Sequence, residues 1–331
     1  MKQRLVMLDY IRVFALCGII FMNIDTLAHV EIHASGSLNS FIEQYKPFLF
    51  EQRFFIIFSF LFGIGFYLFL SRAEEKGLNG QWMFFRRLLL LAIFGVVHQL
   101  VHPGEALLPY AIFGFMLWPF YFAGPITIFI VSLLCMILGT MYFSMLNILA
   151  MFLLGLWVGK VHLFENLDAH MKKLTRIGIL ALLAAPFVLY LQSEYMRTIH
   201  YETFTALSGM VMAVIYVITL LHLLQRPLFL KWFKPLKDIG RMSLTNYILQ
   251  TVLIVSFIYA TGMKGNVTPV QSVIICISVI LIQFLFTTLW QRKFRMGPVE
   301  WVWRTFTYMK RSLIINTETT NRGVEERHAK S

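Results

Sequence analysis

The sequence predicts an all-α integral membrane protein of about ten transmembrane helices with both termini cytoplasmic, and three observations lead there. Of its 331 residues, 58% are hydrophobic and only 14% charged, more apolar surface than one soluble core of this length needs. The apolar residues gather into ten segments near the roughly 20 residues that a helix needs to cross a bilayer. They are Ile11–Ala28, Phe54–Leu70, Phe84–Val101, Ala106–Phe122, Pro125–Tyr142, Met145–Gly159, Leu174–Leu191, Phe204–Leu224, Ser243–Ala260 and Pro269–Trp290. Finally, the basic residues alternate between the connections. Counted with the N-terminus inside, 25 of the 29 Lys and Arg fall on the inner side, leaving Lys46, Arg53, Arg197 and Lys264 outside. Six glutamates, Glu31, Glu43, Glu51, Glu105, Glu194 and Glu202, share that outer side. The positive-inside rule then sets both ends in the cytoplasm.

The same distribution explains the net charge of +12 without a nucleic-acid partner; the expected partner is the lipid bilayer. Cys17, Cys135 and Cys276 all lie inside apolar segments, which argues for packing residues and against disulfides or a thiolate metal site. Residues 1–311 read as a single polytopic membrane domain, and 312–331 as a polar, disordered cytoplasmic tail.

The first element, RLVMLDYIRVFALCGIIFMNID, places Asp9 and Arg12 three residues apart on one helix face, where they can pair. That pair either seats the helix at the interface or meets a substrate. Asn23 and Asp25 approach the outer end of the span. A carboxylate there either snorkels to the interface or marks a functional position. A cleaved signal peptide competes for this stretch, but Asp9, Arg12, Asn23 and Asp25 interrupt the apolar run and no small-x-small site follows.

The loop from His29 to Arg53 is the longest on the outer side and carries His33. Arg86 and Arg87 stand where the third segment enters the membrane. The stretch Val97–Tyr110, VHQLVHPGEALLPY, breaks the apolar pattern with two histidines, a proline, a glycine and a glutamate. His98 and His102 share a helix face if the helix persists, Pro103-Gly104 ends it, and Glu105 opens the next. The fifth and sixth segments carry almost no charge and are expected to face lipid. Residues 160–176, amphipathic in pattern, are expected to lie on the cytoplasmic surface.

Near the ninth segment, KWFKPLKDIGRMSLTNYILQT brings Arg241 to the inner interface. Ser243, Asn246 and Gln250 then form a polar stripe, either joining helices or lining a pocket. After the tenth segment, Gly297-Pro298 starts an interfacial helix over 297–310, with Glu300 in its first turn.

Three stretches together resemble the YeiB family of bacterial membrane proteins, a domain of unknown function. They are RLVMLDYIRVFALCGIIFMNI, GRMSLTNYILQT and FRMGPVEWVWR. The histidine turn is also similar to the family's histidine, Gly-Asp-Ile-Leu and tyrosine pattern, with Glu105 for the aspartate, Ala106 and Leu107 following, and Tyr110 in place. Val13 and Gln99 depart from glycines common in the family. The resemblance implies a bacterial plasma-membrane location. More distantly, the family is similar to transmembrane acyltransferases, including the lysosomal enzyme that acetylates heparan sulfate glucosamine and bacterial envelope sugar acyltransferases. That likeness implies transfer from cytoplasmic acyl-CoA to an extracytoplasmic acceptor, and it sets His33-Ala34-Ser35 beside the histidine of the heparan enzyme's first non-cytoplasmic loop.

Acyl transfer needs a base, oxyanion donors and cations for the donor's phosphates. On this reading His98, oriented by Glu105, is the leading base and His33 the second. Arg12, Arg86, Arg87 and Arg241 are the candidate phosphate contacts, although the positive-inside rule alone accounts for their side. Asn23, Asp25, Tyr110, Asn246 and Gln250 are the candidate substrate contacts. No metal is expected, because HQLVH lacks the glutamate of a zinc-binding helix and Pro103 breaks the helix that would hold the set. Two alternatives stand beside this reading: a purely structural histidine turn, and a small-molecule transporter built on intramembrane Asp25, Asn246 and Gln250.

Overall fold

The computed structural model of the protein describes residues 2–31 and 35–309, and it is all-helical. The helices are α1 (Lys2–Ala28), α2 (Ser37–Phe50), α3 (Arg53–Glu75), α4 (Gly80–Gln99), α5 (Leu107–Leu117), α6 (Pro125–Met141), α7 (Leu146–Lys160), α8 (Leu167–Glu194), α9 (Tyr201–Leu224), α10 (Pro227–Phe233), α11 (Lys237–Arg241), α12 (Ser243–Thr261), α13 (Pro269–Lys293) and α14 (Pro298–Tyr308). Each of the ten apolar segments coincides with one of them. Seven, among them α3 with α2 leading into it, are long and apolar enough to cross a membrane; Leu107–Phe122, Pro125–Met141 and Leu146–Lys160 form shorter apolar helices.

Local chemistry fixes the boundaries. The Asn79 side chain accepts from the Trp82 amide at the start of α4, and Thr268 with Gln271 forms a capping box at the start of α13. Pro125, Pro269 and Pro298 occupy first-turn positions, where a missing N–H costs nothing. Gly262 ends α12 in the left-handed conformation that glycine adopts without strain.

The chain reverses after most helices, giving the bundle two ends. One end holds Asp9, Arg12, Arg87, Lys160 and α14, and is called the terminal end because the described chain begins and finishes there. The other, the distal end, holds the α2–α3 junction, the α4–α5 turn and the α12–α13 turn.

Between apolar helices in lipid there is no hydrophobic drive, so close packing and hydrogen bonds must hold the bundle. The centre is the α3–α7 contact. A Cβ on Gly63 would run into the carbonyl of Phe152, and one on Gly155 into that of Phe60, so these glycines let the two backbones touch. On the other side Asn246 bonds the Thr287 hydroxyl at 3.2 Å, while Gln250 reaches Gln283 at 3.1 Å and the Leu16 carbonyl at 3.3 Å. The predicted stripe therefore joins α12 to α13 and α1.

Three expectations need correction. Of the fifth and sixth segments, α6 shows its flank outward, with Ile126, Ile130 and Ile137 exposed, whereas α7 is among the most buried helices. A protein core and lipid are equally apolar, so absence of charge does not separate them. Residues 160–176 do not lie flat as one surface segment: 161–166 turn, and Leu167 already starts α8, which runs unbroken for 28 residues. The loop from His29 to Arg53 contains α2, whose Lys46 is buried against the bundle.

Candidate functional site

The α4–α5 turn is built by three local features. The helical pattern persists one turn past α4, since the His102 amide donates to the His98 carbonyl at 2.9 Å, so both histidines share a face. Gly104, at φ +80°, then reverses the chain. Gly95 has no space for a Cβ against the backbone of Leu108, which draws α5 close enough for Glu105 to meet His98.

His98 Nδ1 lies 3.3 Å from Glu105 Oε2, and its Nε2 lies 2.9 Å from Thr251 Oγ1 on α12. With the carboxylate as acceptor, the network assigns the proton to Nδ1 and leaves Nε2 to accept from the threonine hydroxyl. His102 Nδ1 sits 3.4 Å from the same hydroxyl. Burial pushes the His102 imidazole down to about 4, His98 beside it acts in the same direction, and Glu105 opposes. His102 is therefore neutral at pH 7.

Glu105 has a second task. Its Oε2 accepts from the Leu107 amide at 2.6 Å and its Oε1 from the Leu108 amide at 2.7 Å, so it caps α5 while orienting His98. Tyr247, one turn before Thr251, packs its ring 5.3 Å from that of His98 and accepts from the Ala106 amide at 3.2 Å. His98, Glu105 and Thr251 are 7%, 4% and 2% exposed. A buried imidazole held between a carboxylate and a hydroxyl is the arrangement general-base chemistry uses.

The other predicted residues divide. Asn23 reaches the Tyr247 hydroxyl and belongs to this neighbourhood. Tyr110 does not face His98: its hydroxyl is shared with Ser59 at 2.7 Å and the Phe55 carbonyl at 3.3 Å on α3. Asp25, half-buried, pairs with Lys46 of α2. Asn246 and Gln250 are committed to the α12–α13 contact. His33 lies outside the described residues, as does the tail from 310 onward.

At the terminal end, Arg12 bonds Asp9 at 2.7 Å, and Asp9 also feels Arg241 and Lys237. Arg87 stacks 4.0 Å from the Trp303 ring and 4.7 Å from Phe69, within charge range of Arg12 and Arg304. Arg12, Arg87 and Arg241 thus share one neighbourhood. Arg86 lies apart, over exposed Trp82 at 5.4 Å.

Sequence reasoning overlooked Thr251 and Tyr247, and also Arg53. The Arg53 side chain is 0% exposed and donates to the Glu51 carbonyl at 2.5 Å, Gln192 at 2.8 Å and Ser208 at 3.2 Å. Tyr201 adds a 2.5 Å bond to Glu51 Oε2. An arginine opening an apolar segment on the outer side, against the charge rule, was the available signal.

Comparison with known proteins decides the family. A relative from Bacillus acidopullulyticus, named "Uncharacterized 39.9 kDa protein in amylase 3'region", is 35% identical over 335 residues, covering 95% of this chain and 97% of the relative. The family described as "Protein of unknown function (DUF418)" matches residues 158–310. This chain belongs to the DUF418 family. It is also similar to YxaH of Bacillus subtilis (strain 168), 25% identical over 387 residues and covering 93% of this chain and 95% of that one. YeiB of Escherichia coli (strain K12) is 42% identical over 69 residues, 21% of this chain and 18% of the relative. No solved structure matches. Within this DUF418 chain, Tyr247, Thr251, Asn246 and Gln250 fall in the matched region, while His98 and Glu105 precede it.

Proposed function

We propose that this DUF418 protein crosses the bacterial plasma membrane ten times, with both termini cytoplasmic, and transfers an acyl group from cytoplasmic acyl-CoA to an extracytoplasmic acceptor. The observation that carries the reading is His98, held by Glu105 on one nitrogen and facing the Thr251 hydroxyl at 2.9 Å on the other. In the reaction, His98 Nε2 takes the proton of an acceptor hydroxyl occupying the place of the Thr251 hydroxyl. The acceptor oxygen attacks the thioester carbonyl, the new C–O bond forms, the C–S bond breaks, and the proton passes from His98 to the departing thiolate. Arg12, Arg87 and Arg241 hold the donor's phosphates. Arg87 and His98 are separated by about 17 Å along α4 at 1.5 Å per residue, a span for the extended pantetheine arm.

The charge distribution supports the orientation, since the arginine-rich terminal end is the cytoplasmic one under the positive-inside rule. Cysteine labelling tests it: a cysteine at Gly36 should react with an impermeant reagent from outside and one at Lys76 only after the membrane is opened. A single observation, the Asp25–Lys46 pair joining α1 to α2, favours transport as the second reading. Proteoliposomes separate the two. With labelled acetyl-CoA at the terminal-end side, acyl transfer predicts free thiol there and label on an acceptor at the distal side. Absence of acyl-CoA binding in calorimetry would discard the enzyme in favour of the transporter.

A further inference from the structure

A cavity of about 140 Å³ opens at the α2–α3 junction, walled by Ile19 and Met22 of α1 and by Phe50, Glu51, Gln52, Phe54 and Phe55. A void of about 150 Å³ holds a benzene-sized molecule, so this one takes a group of similar bulk. Its polar equipment is a single carboxylate and a single amide. Glu51 is fixed from two sides, by the Tyr201 hydroxyl on Oε2 and by Arg53 on its carbonyl, and its Oε1 carries no hydrogen bond among the described residues. Arg53 commits its guanidinium hydrogen bonds to that carbonyl, Gln192 and Ser208 and reaches the carboxylate through its charge alone, so Oε1 keeps its hydrogen-bonding capacity for a ligand.

Gln52 stands at φ +63°, left-handed in a residue that is neither glycine nor asparagine. It is held there because Gly209 of α9 leaves room for its Cβ. Strain of this kind persists where the surroundings enforce it and is concentrated at ligand sites. The wall is also continuous in sequence with the histidine site: Met22 precedes Asn23, which reaches Tyr247, and the Phe55 carbonyl accepts from Tyr110.

We infer that this cavity binds the alkylammonium head of a small organic cation, with Glu51 as counter-charge. Three phenylalanines beside one carboxylate suit a weakly hydrated cation, which gains from both ring electrons and the ion pair. A free anion would meet Glu51 unfavourably, and a sugar would need more hydrogen-bonding partners than Glu51 and Gln52 supply. The inference does not rest on acyl transfer, because a carrier and an acyltransferase could equally use such a pocket.

The test is calorimetric titration of the full chain in detergent with choline and with its neutral isostere, 3,3-dimethylbutanol. Choline should bind saturably and the isostere at least tenfold more weakly. Glu51→Gln and Met22→Trp, the second filling the cavity away from the polar groups, should each weaken choline at least tenfold while thermal unfolding stays close to the parent. Titration in phosphatidylglycerol and in phosphatidylcholine nanodiscs then separates a free cation from a lipid headgroup, since only the headgroup source predicts competition by phosphatidylcholine. No saturable choline binding, equal binding of the isostere, or unchanged binding in both variants would overturn the inference. If either variant fails to fold, the choline and isostere pair on the parent protein decides alone.

Discussion

The two ends of the bundle handle charge in opposite ways. At the terminal end many basic groups lie at or near the surface and rest on rings: Arg86 on Trp82, Arg87 on Trp303 and Phe69, Arg304 on Tyr308, Lys160 on Tyr121. At the distal end some charged groups, among them Arg197 and Lys264, are exposed as well, but several others are buried and tied to specific partners: His98 to Glu105 and Thr251, Arg53 to Gln192 and Ser208, Lys46 to Asp25. Counting charges identifies a face of a membrane protein, whereas burial identifies chemistry. A cation at an interface is cheap because it snorkels to water and headgroups, but a buried one is kept only with partners in place.

The sharpest contrast between the ends is therefore Arg53 against Arg241. Arg53→Met should destabilise the protein by about 3 kcal/mol or more, since it strands buried acceptors on Gln192 and the Glu51 carbonyl. Arg241→Ala, whose 3.5 Å pair with Asp238 is 45% and 38% exposed, should change stability by less than about 0.5 kcal/mol. Thermal unfolding in detergent measures both, and equal effects would dissolve the distinction.

Next in size is the response to acid. His102 in the turn is held near 4, below its ordinary 6.5. Between these values the unfolded chain binds a proton that the folded one refuses. Stability is then full above about pH 6.5, falls as pH drops, and loses about 3 kcal/mol by pH 4. His102→Asn should flatten that part of the profile of unfolding midpoint against pH; an unchanged slope would place its cause elsewhere.

The glycines offer a third contrast. Gly95→Ala must push α5 away from α4, costing about 1–3 kcal/mol, while Gly124→Ala at the terminal end meets nothing within 4 Å and should stay within about 0.5 kcal/mol. The smallest effect concerns the two capping glutamates. Glu300 accepts from the Leu244 and Thr245 amides at 2.8 and 3.0 Å, capping α12 from α14 as Glu105 caps α5. Glu300→Gln should cost about 1 kcal/mol and leave transfer activity intact, whereas Glu105→Gln should lower activity as well. Equal activity in the two variants would reduce Glu105 to a cap.

These contrasts also show what was legible in the sequence. Helix positions were, because apolar length and Pro, Gly and Asn punctuation are local. So was the meeting of His98 with Glu105, since a Pro-Gly turn brings residues seven apart together. Thr251 was hidden: Asn246 and Gln250 announce a polar stripe, but Tyr247 and Thr251, one step round the same helix, are ordinary in apolar segments and acquire meaning only when α12 meets α4. The depth of α7 was equally invisible, because lipid and core demand the same side chains and only Gly63 against Gly155 distinguishes them.

The central claim is that the distal cluster is a reaction centre and not only a capped turn, and His98→Asn tests it most directly. The variant keeps a polar group at the position, and its acyl transfer from labelled acetyl-CoA would be measured in proteoliposomes beside its thermal unfolding. The account predicts at least a hundredfold loss of transfer with an unfolding midpoint near that of the parent, and little change in Arg86→Ala, whose side chain lies apart from the other arginines. Transfer that survives at the parental rate in His98→Asn would contradict it.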